Sequence, residues 1–381
     1  MSLDDILKKL DAQTRERMSR KVPSWSGYDI VFPSLLSTEQ CSGEAAARYK
    51  ASLAGGSIWR LIADLTGGLG VDSWAFSKSF TKVLYNEANT ELASAVKHNF
   101  EVLGCDNILI SNKLLEPGNL HDILGDFKPD IIYLDPARRS STGKKVFLLE
   151  DCQPDVLALK EELLAAAPLL LLKLSPMADI TMLHRRLGRE VTDIHVVAFD
   201  GECKELLVLL QRGSSGPATL TLCEDSHTLR FPDYYSQDGC GARVAIGQNF
   251  RPEGTISGPD DIAPGQILFE PGKALLKAGL FDYPCSIGYK KLAKHTHLYI
   301  APDNYKVLPG KYFKIEKVLP LQSRTIKELS KQSLAAEVSC HNIPITSEDL
   351  RKRLLTTSSG VNHIFAASTP SGNILLFTSI F

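Results

Sequence analysis

Asp64-Leu65-Thr66-Gly67-Gly68-Leu69-Gly70 joins a short apolar run, Ile58 to Asp64, to a segment of helical pattern, Val71 to Phe80. Glycines at such a strand-to-helix junction let the backbone approach a ligand closely, and the start of the helix adds free N–H groups. The pattern then repeats. Lys82 to Asn86 predicts a second strand, Thr90 to Leu103 a helix, Asn107 to Ile110 a third strand and Asp130 to Leu134 a fourth. Pro154 to Ala166 predicts a helix with proline in its first turn, and Leu169 to Leu174 a fifth, leucine-rich strand. Strands alternating with helices at this spacing imply right-handed crossovers and a doubly wound α/β fold with a mostly parallel sheet. His195 to Phe199 and Leu206 to Leu210 flank Asp200-Gly201, a dipeptide suited to a tight hairpin. The expected sheet is therefore Rossmann-like and seven-stranded, ending in an antiparallel pair.

Outward from this core, residues 1–54 read as a helical cap. Leu3, Ile6, Leu7 and Leu10 share one face, Glu39 to Leu53 is rich in helix formers, and Val22 to Pro33 reads as a loop between them. Ser214-Ser215-Gly216-Pro217 is a linker candidate. Beyond it, Ala218 to Phe231 looks like strands and Gly239 to Gly265 like a long loop. Gln266 to Leu280 reads as a strand leading into a helix, and Thr296 to Ile300 and Tyr312 to Val318 as strands. A helix at Ser347 to Leu355 and strands at Asn362 to Ala367 and Asn373 to Thr378 complete an α+β region. The expected division is 1–54 helical, 55–213 sheet domain, 218–320 α+β and ferredoxin-like in form, and 321–381 a further small domain.

Composition narrows the function classes. The chain has 381 residues, of which 44% are hydrophobic and 23% charged, an ordinary globular balance. No apolar run approaches the roughly 20 residues that cross a bilayer, and the N-terminus, with Asp4 and Asp5, lacks a secretory pattern. The eight cysteines are dispersed, with neither C-x-x-C nor a Cys/His cluster, so no metal site is expected and reduced thiols in the cytoplasm are. Charge is uneven: Pro271 to Leu355 carries 15 Lys and Arg against 7 Asp and Glu, although the net charge of the whole chain is −1. Such a basic third suits a nucleic-acid-facing module, or equally a lysine-rich solvated surface.

Two acids sharpen the glycine loop. Asp64 precedes it, where a carboxylate can meet an ammonium and would repel a pyrophosphate. Glu87 directly follows the second strand, where its oxygens can accept from both hydroxyls of a ribose. That combination points to S-adenosylmethionine, held by Asp64, Thr66, Gly67, Gly68, Gly70 and Glu87. The alternative is that Asp64 caps the helix and Glu87 is a surface acid. Asn112 stands after the third strand as a substitute for an adenine-binding acid. The fourth strand runs into Asp135-Pro136-Ala137-Arg138-Arg139, which places Asp135 in the ligand crevice, beside both cofactor and acceptor. A carboxylate there can orient an amine and hold the positive charge that develops on it, and Pro136 fixes the backbone that follows. Arg138, Arg139, Lys144 and Lys145 put four cations into one loop, either for phosphate contact or for solubility. Lys173 and Ser175 close the fifth strand at the expected cleft rim, and Cys152 reads as a buried, inert thiol.

With these motifs, together with Glu39-Gln40-Cys41-Ser42-Gly43-Glu44-Ala45-Ala46-Ala47-Arg48-Tyr49-Lys50, Lys173-Leu174-Ser175-Pro176 and Glu202-Cys203-Lys204-Glu205, the sequence resembles bacterial class I S-adenosylmethionine-dependent methyltransferases with a C-terminal THUMP-like domain. The sheet domain is also distantly similar to trimethylguanosine synthases, although Ala137-Arg138 stands where those enzymes have a second proline and an aromatic residue. The resemblance implies methyl transfer, most simply to a nitrogen of tRNA or rRNA, and assigns residues 321–381 as the THUMP-like domain. A small-molecule or protein methyltransferase, and a non-catalytic RNA-binding protein, are the other readings.

Overall fold

A computed structural model of the chain describes residues 3–54, 60–138, 149, 152–235, 254–358 and 360–381. Its start is helical: α1 (Leu3–Lys21), α2 (Leu35–Gln40) and α3 (Glu44–Ala54). The stretch expected to be helical from Glu39 is interrupted after Gln40, because Cys41 adopts extended backbone (φ −60°, ψ 156°) before α3 begins.

Alternating elements follow: β1 (Leu61–Asp64), α4 (Val71–Ser77), β2 (Lys82–Asn86), α5 (Thr90–Val102), β3 (Ile108–Ser111), α6 (Leu120–Leu124) and β4 (Ile131–Leu134). Next come β5 (Ala137–Arg138), β6 (Cys152–Gln153), α7 (Val156–Ala166), β7 (Leu169–Leu174), α8 (Ile180–Leu187), β8 (Val191–Phe199) and β9 (Glu202–Gln211). β10 (Ala218–Glu224) and β11 (His227–Tyr235) continue the series. The first sheet has the order β11-β10-β8-β9-β7-β4-β1-β2-β3. β2, β1, β4 and β7 pair in parallel, and β9 returns antiparallel to β7, as expected from the Asp200-Gly201 hairpin. The seven expected strands are there as β1–β4 and β7–β9, and β10 and β11 extend the sheet to nine. β8 presents an open edge that β10 and β11 extend, so the Ser214–Pro217 segment does not end the sheet. The order of successive strands reverses between β1 and β4, which run parallel, and such a switch point leaves a crevice at the carboxyl ends of both strands.

Trp25, Trp74, Phe76, Tyr133 and Leu171 lie in one buried cluster with Ala47, Ala51 and Ala54 of α3, so the helical segment shares the core of the sheet. Trp25 meets Trp74 edge-on, with ring centroids 6.1 Å apart.

The later elements are β12 (Ile267–Pro271), α9 (Lys273–Lys277), α10 (Tyr283–Ser286), β13 (Lys290–Ala293), β14 (Thr296–Ile300) and β15 (Gly310–Pro320). α11 (Ser323–Leu329), β16 (Glu337–His341), α12 (Ser347–Leu354), β17 (Asn362–Thr369) and β18 (Gly372–Ile380) complete them. They form a second sheet, β13-β14-β12-β15-β18-β17-β16. One core packs Leu268, Phe313, Phe365 and Leu376, and another packs Leu329, Leu350 and Leu354 against Ile364 and Leu375. β13, β16 and α11 escape the sequence reading because each is short and flanked by polar residues.

The chain divides into two compact units, Met1–Phe199 with Lys204–Thr221 and Tyr235–Gly241, and Asp200–Cys203 with Leu222–Tyr234 and Ala242–Phe381. No described helix is long and apolar enough to cross a membrane. Leu172 is wholly buried on β7, paired with β4 and β9. Leu172→Ala should cost ~2–5 kcal/mol and lower the thermal midpoint read by tryptophan fluorescence, since all three tryptophans precede residue 75.

Candidate functional site

The ends of β1 and β4 lie side by side, and that adjacency fastens the glycine loop. Leu65 N–H donates to the Tyr133 carbonyl at 3.1 Å, and Asp135 N–H donates to Thr66 Oγ1 at 2.6 Å. On the other side, Gly67 N–H donates to the Asn86 carbonyl at 2.8 Å, and the Tyr85 hydroxyl donates to the Gly68 carbonyl at 2.7 Å. The Tyr85 ring fills the place where a Cβ on Gly67 would stand. Gly70 opens α4 at φ +82°, and a Cβ there would come within 2.8 Å of Phe100 and Val96. Both positions need glycine because the loop is packed from behind.

Asp64 is wholly buried. Its Oδ2 accepts from the Ser73 hydroxyl at 2.6 Å and its Oδ1 from Thr66 N–H at 3.2 Å. Burial pushes this carboxyl up to about 8, and the charges of Asp72 and Asp135 add to the effect against those two hydrogen bonds. Asp64 thus ties the loop to the first turn of α4 through the Ser73 hydroxyl, while the helix itself is capped by Gly70 with no side-chain bond. Glu87 is half-buried, with Oε2 accepting from Gly68 N–H at 2.9 Å and Oε1 from Asn89 N–H at 2.8 Å. Each oxygen keeps a second acceptor direction, which suits two adjacent hydroxyls. The Asn112 amide donates to the carbonyls of Glu87 (2.5 Å) and Ala88 (3.3 Å) and accepts from Thr90 Oγ1 (3.0 Å). Its side chain is spent on holding the turn beneath Glu87. Acids on both sides of a glycine loop fit a cationic, hydroxyl-bearing ligand and disfavour a pyrophosphate.

Across the crevice, the Asp135 side chain is 33% exposed, and its Oδ2 accepts from the Lys173 ammonium at 2.5 Å. No described residue bonds Oδ1. Lys173 is only 15% exposed. Its burial favours the neutral amine, but Asp135, Glu205 and Asp72 outweigh it and hold the ammonium charged above the usual lysine range. Pro136 is buried behind Asp135. β5 and β6 pair antiparallel with Arg138 opposite Cys152, so the thiol set apart in the sequence lies on the strand partnering the segment after Asp135. Ser175 Oγ accepts from Met177 N–H at 3.2 Å and so shapes the turn after β7. Arg139, Lys144 and Lys145 lie outside the described residues.

Beneath this pair is a charged cluster that the sequence reading missed. Lys50 of α3 is wholly buried and donates to both oxygens of Glu205 at 2.9 Å and to Ser42 Oγ at 3.0 Å. Its Nζ also lies 3.1 Å from Asp72 Oδ1, an ion pair whose angle is too poor for a hydrogen bond. Asp72 Oδ2 accepts from the hydroxyls of Tyr133 (2.8 Å) and Ser42 (2.9 Å). Burial alone would raise the Asp72 carboxyl. Lys50, Lys173 and those two hydroxyls outweigh it and hold it below the usual carboxylate range. The signal was available in the sequence: Ala47, Lys50, Ala51 and Ala54 share one helical face, so a lysine sits in an alanine stripe.

Comparison with solved structures places this arrangement. The chain is similar to a proposed methyltransferase from Porphyromonas gingivalis W83, with 29% identity over 97% of this chain and 89% of that one and a TM-score of 0.80. The chain is a methyltransferase. Its residues 268–309 match a ferredoxin-like domain and residues 310–379 a THUMP-like domain. Two partial likenesses bear on nothing further. One is to an S-adenosylmethionine-dependent methyltransferase from Agrobacterium tumefaciens, with 17% identity over 45% of this chain and 63% of that one and a TM-score of 0.33. The other is to an rRNA methylase from Streptococcus thermophilus, with 14% identity over 44% and 94% and a TM-score of 0.32. No curated protein matches the sequence.

In this methyltransferase, Gly67→Ala would drive a methyl group into the Tyr85 ring and break the Tyr85–Gly68 latch. Calorimetry with S-adenosylhomocysteine should show affinity reduced at least ~10-fold, about 1.4 kcal/mol.

Proposed function

We propose that this methyltransferase acts on a nitrogen of tRNA or rRNA, with Asp135 positioning the acceptor. The observation that carries the reading is the half-open carboxylate itself: Oδ2 is held by Lys173, while Oδ1 faces no described partner, directly after the strand that borders the glycine loop. The RNA part rests on the THUMP-like match and the basic third of the sequence.

In this reading the cofactor lies against the loop of Thr66, Gly67, Gly68 and Gly70, with its ribose on Glu87, the Asn112 turn beside its adenine and Asp135 near its methyl group. When bound, it supplies an electrophilic methyl group on a sulfonium sulfur. Asp135 Oδ1 accepts the N–H of the acceptor, turns the nitrogen lone pair toward that methyl and offsets the charge that builds up on nitrogen. Lys173 remains an ammonium and so acts by holding Asp135, not as a base. Pro136 and Arg138 shape the acceptor side, with Arg139, Lys144, Lys145 and Ser175 as further contacts to an RNA backbone. A cytoplasmic location accords with seven described cysteines, none of them in a disulfide.

Transfer of label from S-adenosylmethionine to total RNA tests the reading directly. The parent should label RNA, and Asp135→Ala should lose ~100-fold or more in turnover while binding S-adenosylhomocysteine within about threefold. Label appearing only in protein or small molecules would point to the other substrate classes. A second expectation concerns protons. Burial keeps Asp64 protonated below pH about 8, and a cationic ammonium docking at the loop favours its ionised form. Binding of S-adenosylhomocysteine between pH 6 and 8 should therefore release a proton, and affinity should rise with pH until it levels off above about 8. Calorimetry in buffers of different ionisation enthalpy measures that release, and Asp64→Asn should abolish it.

A further inference from the structure

We propose that Lys50, from the N-terminal helical segment, is a positioning residue for methyl transfer: by holding Glu205 and Asp72 it keeps the Lys173 ammonium on Asp135. The inference rests on the reading of Asp135 given above. Its basis is a count of charges in one buried place. Two ammonium groups, Lys50 and Lys173, stand among three carboxylates, Asp72, Glu205 and Asp135. Lys173 feels all three carboxylates, Asp135 most strongly, then Glu205, then Asp72. Lys50 is wholly buried and occupies both oxygens of Glu205 and one of Asp72. Lys173 is therefore left to Asp135, at 2.5 Å. Without the Lys50 charge, three carboxylates would compete for a single ammonium, and Asp135 would lose the bond that fixes its Oδ2. The Tyr133 hydroxyl on Asp72 adds a mechanical route, because Tyr133 lies two residues before Asp135 on β4.

This gives the N-terminal segment a task beyond covering the sheet. It also predicts a rescue that a structural contact would not produce. In a Lys50→Met background, Glu205→Gln removes the stronger of the two competitors, while Asp72 keeps its two hydroxyl donors, so Lys173 should return to Asp135. The test uses the full chain with nitrogen-15-labelled lysine. The Lys173 ammonium signal is assigned by its loss in Lys173→Met and followed alongside transfer to total RNA.

Lys50→Met should move or broaden that signal and lower kcat at least tenfold, with S-adenosylhomocysteine bound within threefold of the parent. The double variant should restore the signal and bring kcat back to within threefold. An unchanged Lys173 signal in Lys50→Met, or a deeper loss on adding Glu205→Gln, overturns the proposal. Removing one partner of a buried pair often destabilises a fold. Should Lys50→Met not fold, the double variant decides alone: a parent-like Lys173 signal supports the proposal and an altered one overturns it. Failure of the parent to label RNA would count against the RNA reading only, because the ammonium signal needs no acceptor.

Discussion

The parallel pairing of β1 with β4, Asp64 opposite Tyr133, makes both strands deliver their loops to the same end of the sheet. A parallel pair has no short way to reconnect, so each chain must turn away over a different face, and the gap between them is the crevice. What distinguishes this chain is how little freedom it leaves that gap. One hydrogen bond, from Asp135 N–H to Thr66 Oγ1, ties the end of β4 to the glycine loop, and the Tyr85 hydroxyl pins the loop from β2. A typical hydrogen bond is worth only ~1 kcal/mol net. The ties therefore matter for geometry more than for stability: they keep the glycine loop and Asp135 in fixed relation.

Charge burial follows the same logic. Taking an ammonium wholly out of water costs several kcal/mol, and partners return that energy only when their geometry is good. Lys50 meets that condition through Glu205 and Ser42, and less well through Asp72, where proximity replaces a directed bond. Hydrophobic side chains in place of the whole ion cluster would fold about as well, whereas loss of Lys50 alone would strand two buried carboxylates. Retaining a lysine there is easier to understand as ordering of the carboxylates around Lys173 than as a source of stability.

The sheet was legible because hydrophobic runs of four to six residues recur at crossover spacing, and the strand-end acids were legible because they fall next to those runs. Lys82–Asn86 and Leu169–Leu174 have the predicted bounds. Two things could not be read. β10 and β11 look like any amphipathic pair, and nothing local says which open edge they join. The charged cluster joins residues as distant as Lys50 and Glu205, whose proximity exists only once α3 packs on the sheet. Asp64 and Asn112 show a third limit: each stands at a strand end as expected, but their hydrogen bonds are directed into the loop and turn, which only coordinates reveal.

The second sheet carries a consequence for inheritance. The ferredoxin-like match ends at residue 309 and the THUMP-like match begins at 310, yet β15 starts at Gly310 with β12 bonded to one edge and β18 to the other. The border between two named domains thus runs through a continuous hydrogen-bond ladder, and Leu268 of the first shares a core with Phe313 and Phe365 of the second. A gene fusion or truncation at that border would strip β12 and β15 of a neighbour each and open an apolar face. In this chain the two matched segments are therefore one folding piece that bears two labels.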